Sequence, residues 1–136
     1  SISVMDAQMH ALQTLVSVQH ATLHSLTWSP DNRTLAYEQV DEQGKTTIHI
    51  IDLTTPQHQT SIPLTHNLSG LNWSPDGRAL IYSDGGTLLV HMFQATTITL
   101  PTSHAQQVSP FWLKDGRIVC LQIENGAGKL AFLLPQ

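Results

Sequence analysis

An all-β fold of repeated antiparallel sheets is predicted by three features of this 136-residue sequence. A tryptophan-led motif occurs three times. Each copy lies between two apolar runs that read as strands. Apolar residues make up 40% and charged residues only 12%, a balance that suits one strand-rich globular domain with a modest core.

The motif reads Trp28-Ser29-Pro30-Asp31-Asn32-Arg33, then Trp73-Ser74-Pro75-Asp76-Gly77-Arg78, then Trp112-Leu113-Lys114-Asp115-Gly116-Arg117. The tryptophans lie 45 and 39 residues apart, the length of a four-stranded propeller blade. The fold class expected is therefore β-propeller: about three four-stranded antiparallel blades in an incomplete ring. Residues 20–65, 66–102 and 103–136 form the successive units, the last one incomplete, and residues 1–19 end a preceding blade. Thirteen strands are expected, divided two, four, four and three, as in a piece of a longer polypeptide.

At the amino terminus, Ile2-Ser3-Val4-Met5-Asp6 overlays Ile48-His49-Ile50-Ile51-Asp52 and reads as a strand. The competing reading is an amphipathic helix through Ile2, Met5, Met9, Leu12 and Val16. In each motif, Pro30 or Pro75 pre-sets φ at the second turn position and Asp31 or Asp76 suits the third. Gly77 and Gly116 fill the fourth position, which calls for positive φ, and Asn32 tolerates it in the first copy. Lys114 replaces proline in the third copy, so that turn is less rigid. Each closing arginine, Arg33, Arg78 and Arg117, has the neighbouring turn aspartate, Asp115 included, as a candidate partner. Trp28 and Trp73 are expected to be largely buried between blades.

The second strands, Leu35-Ala36-Tyr37, Leu80-Ile81-Tyr82 and Ile118-Val119-Cys120, follow the turns. Third strands follow at Ile48–Leu53, Leu88–Phe93 and Leu130–Leu134, with the period of two of a packed strand. Outer strands at Thr60–Leu64 and Thr97–Leu100 carry Pro63 or run into Pro101, which an edge strand tolerates. Cys120, the only cysteine, takes the place of Tyr37 and Tyr82 and reads as a buried small hydrophobe.

The net charge of −4, with three lysines and three arginines, offers no basic stripe, and all three arginines belong to the turns; nucleic-acid binding is excluded for this segment. No apolar run is long enough for a membrane-spanning helix. No cofactor is expected, and no Cys–His or Ser–His–Asp arrangement supports nucleophilic catalysis. The glycine-rich segments Asp84-Gly85-Gly86 and Glu124–Gly128 precede strands rather than helices and read as hairpin turns, not phosphate loops.

The order of segments resembles the repeats of the TolB-type propeller family. The resemblance rests on an Ile-x-Val-Met-Asp type strand at Ile2–Asp6 and Ile48–Leu53, on the Leu64-Thr65 edge, and on Trp28–Arg33 and Trp73–Arg78. Similar repeats occur in propellers of prolyl-oligopeptidase-type peptidases and in extracytoplasmic domains of membrane-anchored winged-helix regulators. The resemblance implies a propeller fold, a periplasmic or other extracytoplasmic location, and a module for protein partners or sensing rather than an enzyme. The third repeat departs from the pattern at Pro110-Phe111 and Leu113-Lys114. Function inferred from a fold alone is analogy.

Eight histidines are a high count. His20, His66 and His104 stand seven or eight residues before the motif tryptophans, in connections that run toward the channel of a propeller. Convergent imidazoles bind transition metals or sense pH. Loop residues copied with the repeat are the plainer reading, since no carboxylate accompanies them at equivalent spacing. His49 and His91 lie within strands and are expected on the solvent face.

Two function classes follow: a non-catalytic interaction or sensory module, or the accessory propeller of a hydrolase whose catalytic domain lies elsewhere. An open row of three blades exposes apolar faces, which missing blades of the same chain would cover. A two-fold homodimer offers another solution, in which the strand near Leu12–Val18 completes the partner's last blade beside Leu130–Leu134.

Overall fold

The computed structural model of the chain describes residues 1–4, 13–94, 96–100 and 105–133. Thirteen strands and no helix lie among them, arranged in antiparallel sheets of two, four, four and three strands. The first sheet pairs β1 (Ile2–Val4) with β2 (Gln13–Val16), so residues 2–4 and 13–16 are strand and not helix. Asp6, Met9 and Leu12 lie outside the described residues.

In the second sheet β3 (Ala21–Trp28), β4 (Thr34–Asp41), β5 (Thr46–Asp52) and β6 (Gln59–Pro63) follow one another in space as in sequence. The third sheet repeats that order with β7 (Leu68–Trp73), β8 (Ala79–Asp84), β9 (Thr87–Met92) and β10 (Thr97–Thr99). The fourth holds β11 (Gln106–Trp112), β12 (Ile118–Glu124) and β13 (Ala127–Leu133). Pro63 lies on the outermost strand, opposite Thr47, where its missing N–H breaks no ladder; Pro101 lies outside the described residues.

The sheets stack face to face through three apolar clusters. Ile2 and Val16 pack on Leu35, Tyr37 and Ile51; Ala36, Ile48 and Ile50 meet Trp73, Leu80 and Tyr82; Ala79, Ile81 and Val90 meet Ile118, with Trp112 and Leu133 packed alongside. Alternate residues of β4 and β8 therefore serve opposite neighbours. A strand covered on both faces reads as a continuous apolar run, which explains Leu35-Ala36-Tyr37 and Leu80-Ile81-Tyr82. Trp73 is 6% exposed and its indole N–H reaches the Thr27 carbonyl at 3.3 Å.

Trp28 departs from expectation. It is 38% exposed, because the sheet on its side contributes only β1 and β2 among the described residues and no inner strand covers it. His49 and His91 also differ from the solvent-face reading. Both are half-buried: His49 stacks on Tyr37 at 5.3 Å, and His91 meets the edge of Phe93 at 5.4 Å. Burial lowers both imidazole pKa values.

The three turns have the expected backbone, closed by bonds from Asn32, Gly77 and Gly116 N–H to the carbonyls of Ser29, Ser74 and Leu113. The residues at the fourth position have φ of 58°, 72° and 89°. The aspartates behave differently. Ser29 and Ser74 hydroxyls donate to Asp31 and Asp76 at 2.6 Å and accept from the Thr34 and Ala79 amides. Leu113 has no hydroxyl, and there Arg117 grips Asp115 through Nε and Nη2 at 2.8 and 2.7 Å. Arginine thus pairs with the turn aspartate in the third copy alone among the described residues.

Candidate functional site

One feature of the inner strands was not foreseen. Ser25, Gly70 and Ser109 each stand three residues before the motif tryptophan and have φ of 51°, 66° and 50°. At each, the pairing register with the second strand slips, forming a bulge. Gly70 is required there: a Cβ would lie 2.8 Å from Ser109 Cα and from the Pro110 ring. Ser109 N–H donates to Ser69 Oγ at 3.1 Å, and the Trp112 amide donates to Asn72 at 2.8 Å, stitching β11 to β7. Ser25 Oγ donates to the buried Glu38 carboxylate at 2.8 Å. The sequence signal was a small residue at one fixed offset from each tryptophan.

One face of the row carries the connections into the inner strands and the hairpins between second and third strands. His20 and His66 lie there, both exposed. His20 Nδ1 is 2.8 Å from Glu42, and His66 Nδ1 is 3.4 Å from Asp84. Asp84 also accepts the Thr65 and His66 amides at 2.9 and 2.6 Å, which anchors the loop to the hairpin. These carboxylates escaped the sequence comparison because the two hairpins differ in length, so equal places in space have unequal spacing in the chain. Each of these histidines is tied to a carboxylate of its own sheet. His104 lies outside the described residues, and among the described residues no group of three or more side chains is placed to hold a metal.

The opposite face carries the motif turns. Between the second and third sheets, where the blades splay apart, a groove of about 630 Å³ opens. Asp52 and His58 line one wall; Arg78, Met92 and Phe93 line the other, over Trp73. Phe93 stacks on Trp73 with centroids 5.2 Å apart. The Thr54 hydroxyl and amide bind the Asp52 carboxylate and hold it below its usual range. Arg78 forms no ion pair among the described residues. Cys120 is fully buried and distant in role from either face; burial pushes its thiol pKa up.

These stacked antiparallel sheets with their repeated turns define β-propeller blades, and comparison with solved structures agrees on that fold. The chain is similar to a prolyl endopeptidase (TM-score 0.68, 12% identity), covering 93% of this chain and 24% of that one. It is similar to a TolB from Acinetobacter baumannii (TM-score 0.53, 17% identity), covering 96% of this chain and 45% of that one. A calcium-binding protein, regucalcin, from Agrobacterium tumefaciens matches with TM-score 0.66 and 11% identity over 94% of this chain and 49% of its own. The chain thus spans from about a quarter to a half of these three structures, and at such identities the likeness concerns the fold. No protein-family model and no curated protein matches.

Proposed function

We propose that this chain is a non-catalytic propeller segment for protein interaction or sensing, an extracytoplasmic part of a larger protein such as a membrane-anchored transcriptional regulator or a TolB-like protein. The observation that carries the reading is the contrast between rigid, doubly covered sheets and the polar loops they hold on the His20–His66 face. Such loops on a fixed scaffold suit recognition. The likeness to TolB supports the extracytoplasmic location. The surrounding reading frame is the test. A winged-helix domain and a membrane span upstream favour the regulator; a Gly-x-Ser-x-Gly segment in a hydrolase domain downstream would overturn the reading.

The second reading, an accessory propeller of a prolyl-oligopeptidase-type hydrolase, is favoured by the prolyl endopeptidase match. It predicts that downstream segment.

In the proposed reading further blades of the same protein cover the open row; a homodimer that completes the ring is the alternative. Phe111, Leu130 and Phe132 are 55, 70 and 58% exposed on one face of the fourth sheet, and among the described residues nothing pairs with the outer edge of β13. Exchange of β2 into the partner requires it to leave β1, to which it is paired. Sedimentation decides between the two: a dimer at micromolar concentration supports the exchanged ring, and a persistent monomer rules it out.

A further inference from the structure

The groove between the second and third sheets lies on the face opposite His20 and His66. We propose that it binds an extended peptide segment in which a carboxylate side chain neighbours a bulky apolar one. The inference rests on the interaction-module reading and deepens it.

Three observations carry the inference. The groove volume, about 630 Å³, falls in the range of sites that enclose a small ligand or a few side chains. Its floor and lip are apolar: Ile50 and Trp73 are buried, while Met92 and Phe93 stay more than a third exposed. Arg78, an exposed residue of the groove lining, has no ion-pair partner among the described residues.

Equivalent arginines are placed differently. Arg117 is committed to Asp115 and lies over the Phe132 ring at 5.6 Å, whereas Arg78 lines the groove. A carboxylate answers the planar donor fork of arginine with two parallel hydrogen bonds. An adjacent apolar side chain then covers Met92 and Phe93, removing them from water. Asp52, on the other wall, is satisfied by Thr54 and leaves acceptor capacity for a peptide N–H. It also disfavours a ligand whose acidic group is placed at that end, which fixes the direction of binding.

The test pans a phage-displayed library of random dodecapeptides on the whole chain, then measures an enriched synthetic peptide by fluorescence anisotropy. The expected motif places aspartate or glutamate beside phenylalanine, leucine, methionine or tryptophan. Arg78→Gln should weaken binding by about tenfold or more, as loss of a charge-assisted pair does, with partial recovery in Arg78→Lys. Thr60→Phe, at an exposed position of β6 that lines the groove, should block binding without touching Arg78. Unchanged circular dichroism keeps both variants informative. Absence of an acidic–apolar motif overturns the proposal. Enriched peptides that ignore both substitutions also overturn it, while leaving the interaction-module reading intact.

Discussion

The third and fourth sheets are built from the same repeat, yet they occupy unlike environments. On β8, Leu80, Ile81 and Tyr82 are all essentially inaccessible, because the second sheet covers one face and the fourth covers the other. On β12, Ile118 and Cys120 are buried while Val119 and Leu121 are only partly so. Val119 stands between Phe111 and Phe132, and Leu121 between Val108 and Leu130, so one face of that sheet is largely apolar and, among the described residues, meets no further sheet. The motif turns differ in the same sense. Ser74 anchors Asp76 from within the third sheet, whereas Arg117 grips Asp115 from solvent. A repeat can therefore keep its backbone while its energetics pass from packing to exposed charge.

The largest expected contrast lies in the core. Trp73→Ala should cost about 3–5 kcal/mol, the range for removing a large buried aromatic. Phe132→Ala on the bare face should cost below about 1 kcal/mol. Urea unfolding of both variants measures the difference, and a similar loss in both would mean that the fourth sheet is covered in solution. Trp28→Ala, with its half-open environment, should fall between them.

Next comes the junction of the two sheets. Gly70→Ala forces a Cβ against Ser109 and Pro110 at positive φ, and a loss of about 1–3 kcal/mol is expected. Ser109, in the equivalent place, already tolerates φ of 50°, so Ser109→Gly should be neutral or slightly stabilising. Thermal melts of the two variants should move in opposite directions or differ plainly in size.

The turns give a smaller effect with a distinct signature. Ser74→Ala leaves the buried Ala79 amide without its acceptor and should cost about 1–3 kcal/mol at any ionic strength. Arg117→Ala should have a smaller effect, and that effect should vanish near 1 M salt, where charges are screened within about 3 Å. A salt-independent loss in the arginine variant would show that its stem packing on Phe132 matters more than its charge.

Acid should act in two windows. Ser74 and the Arg78 amide hold Asp76 below the usual carboxylate range, and Asp31, Asp52 and Asp115 are lowered likewise. Groups depressed in the folded state favour folding above their unfolded value, about pH 4, and lose that contribution as pH falls through the folded value. His49 and His91, lowered by burial, contribute fully above about pH 6.5 and lose that contribution as pH falls below it. Stability should thus decline gently below neutrality and steeply below about pH 4. His91→Gln should remove part of the first decline and none of the second.

Much of this architecture was legible before any coordinates. Strand identity, the two, four, four and three division and the turn geometry all follow from local chemistry. Proline presets one dihedral, glycine or asparagine accepts positive φ, and alternation marks a strand. Such requirements act over a few residues, so they leave a periodic trace in the chain. Contacts between sheets leave none. Whether Trp28 is covered depends on what lies beside its sheet, not on its motif, which matches that of Trp73. The His20–Glu42 and His66–Asp84 pairs join residues 22 and 18 apart, a spacing set by hairpin length. The groove lies between two blades and draws its lining, Asp52 and Arg78 among it, from both. Local backbone needs were written in the order of residues; exposure, charge pairing and cavities were decided only when the sheets packed.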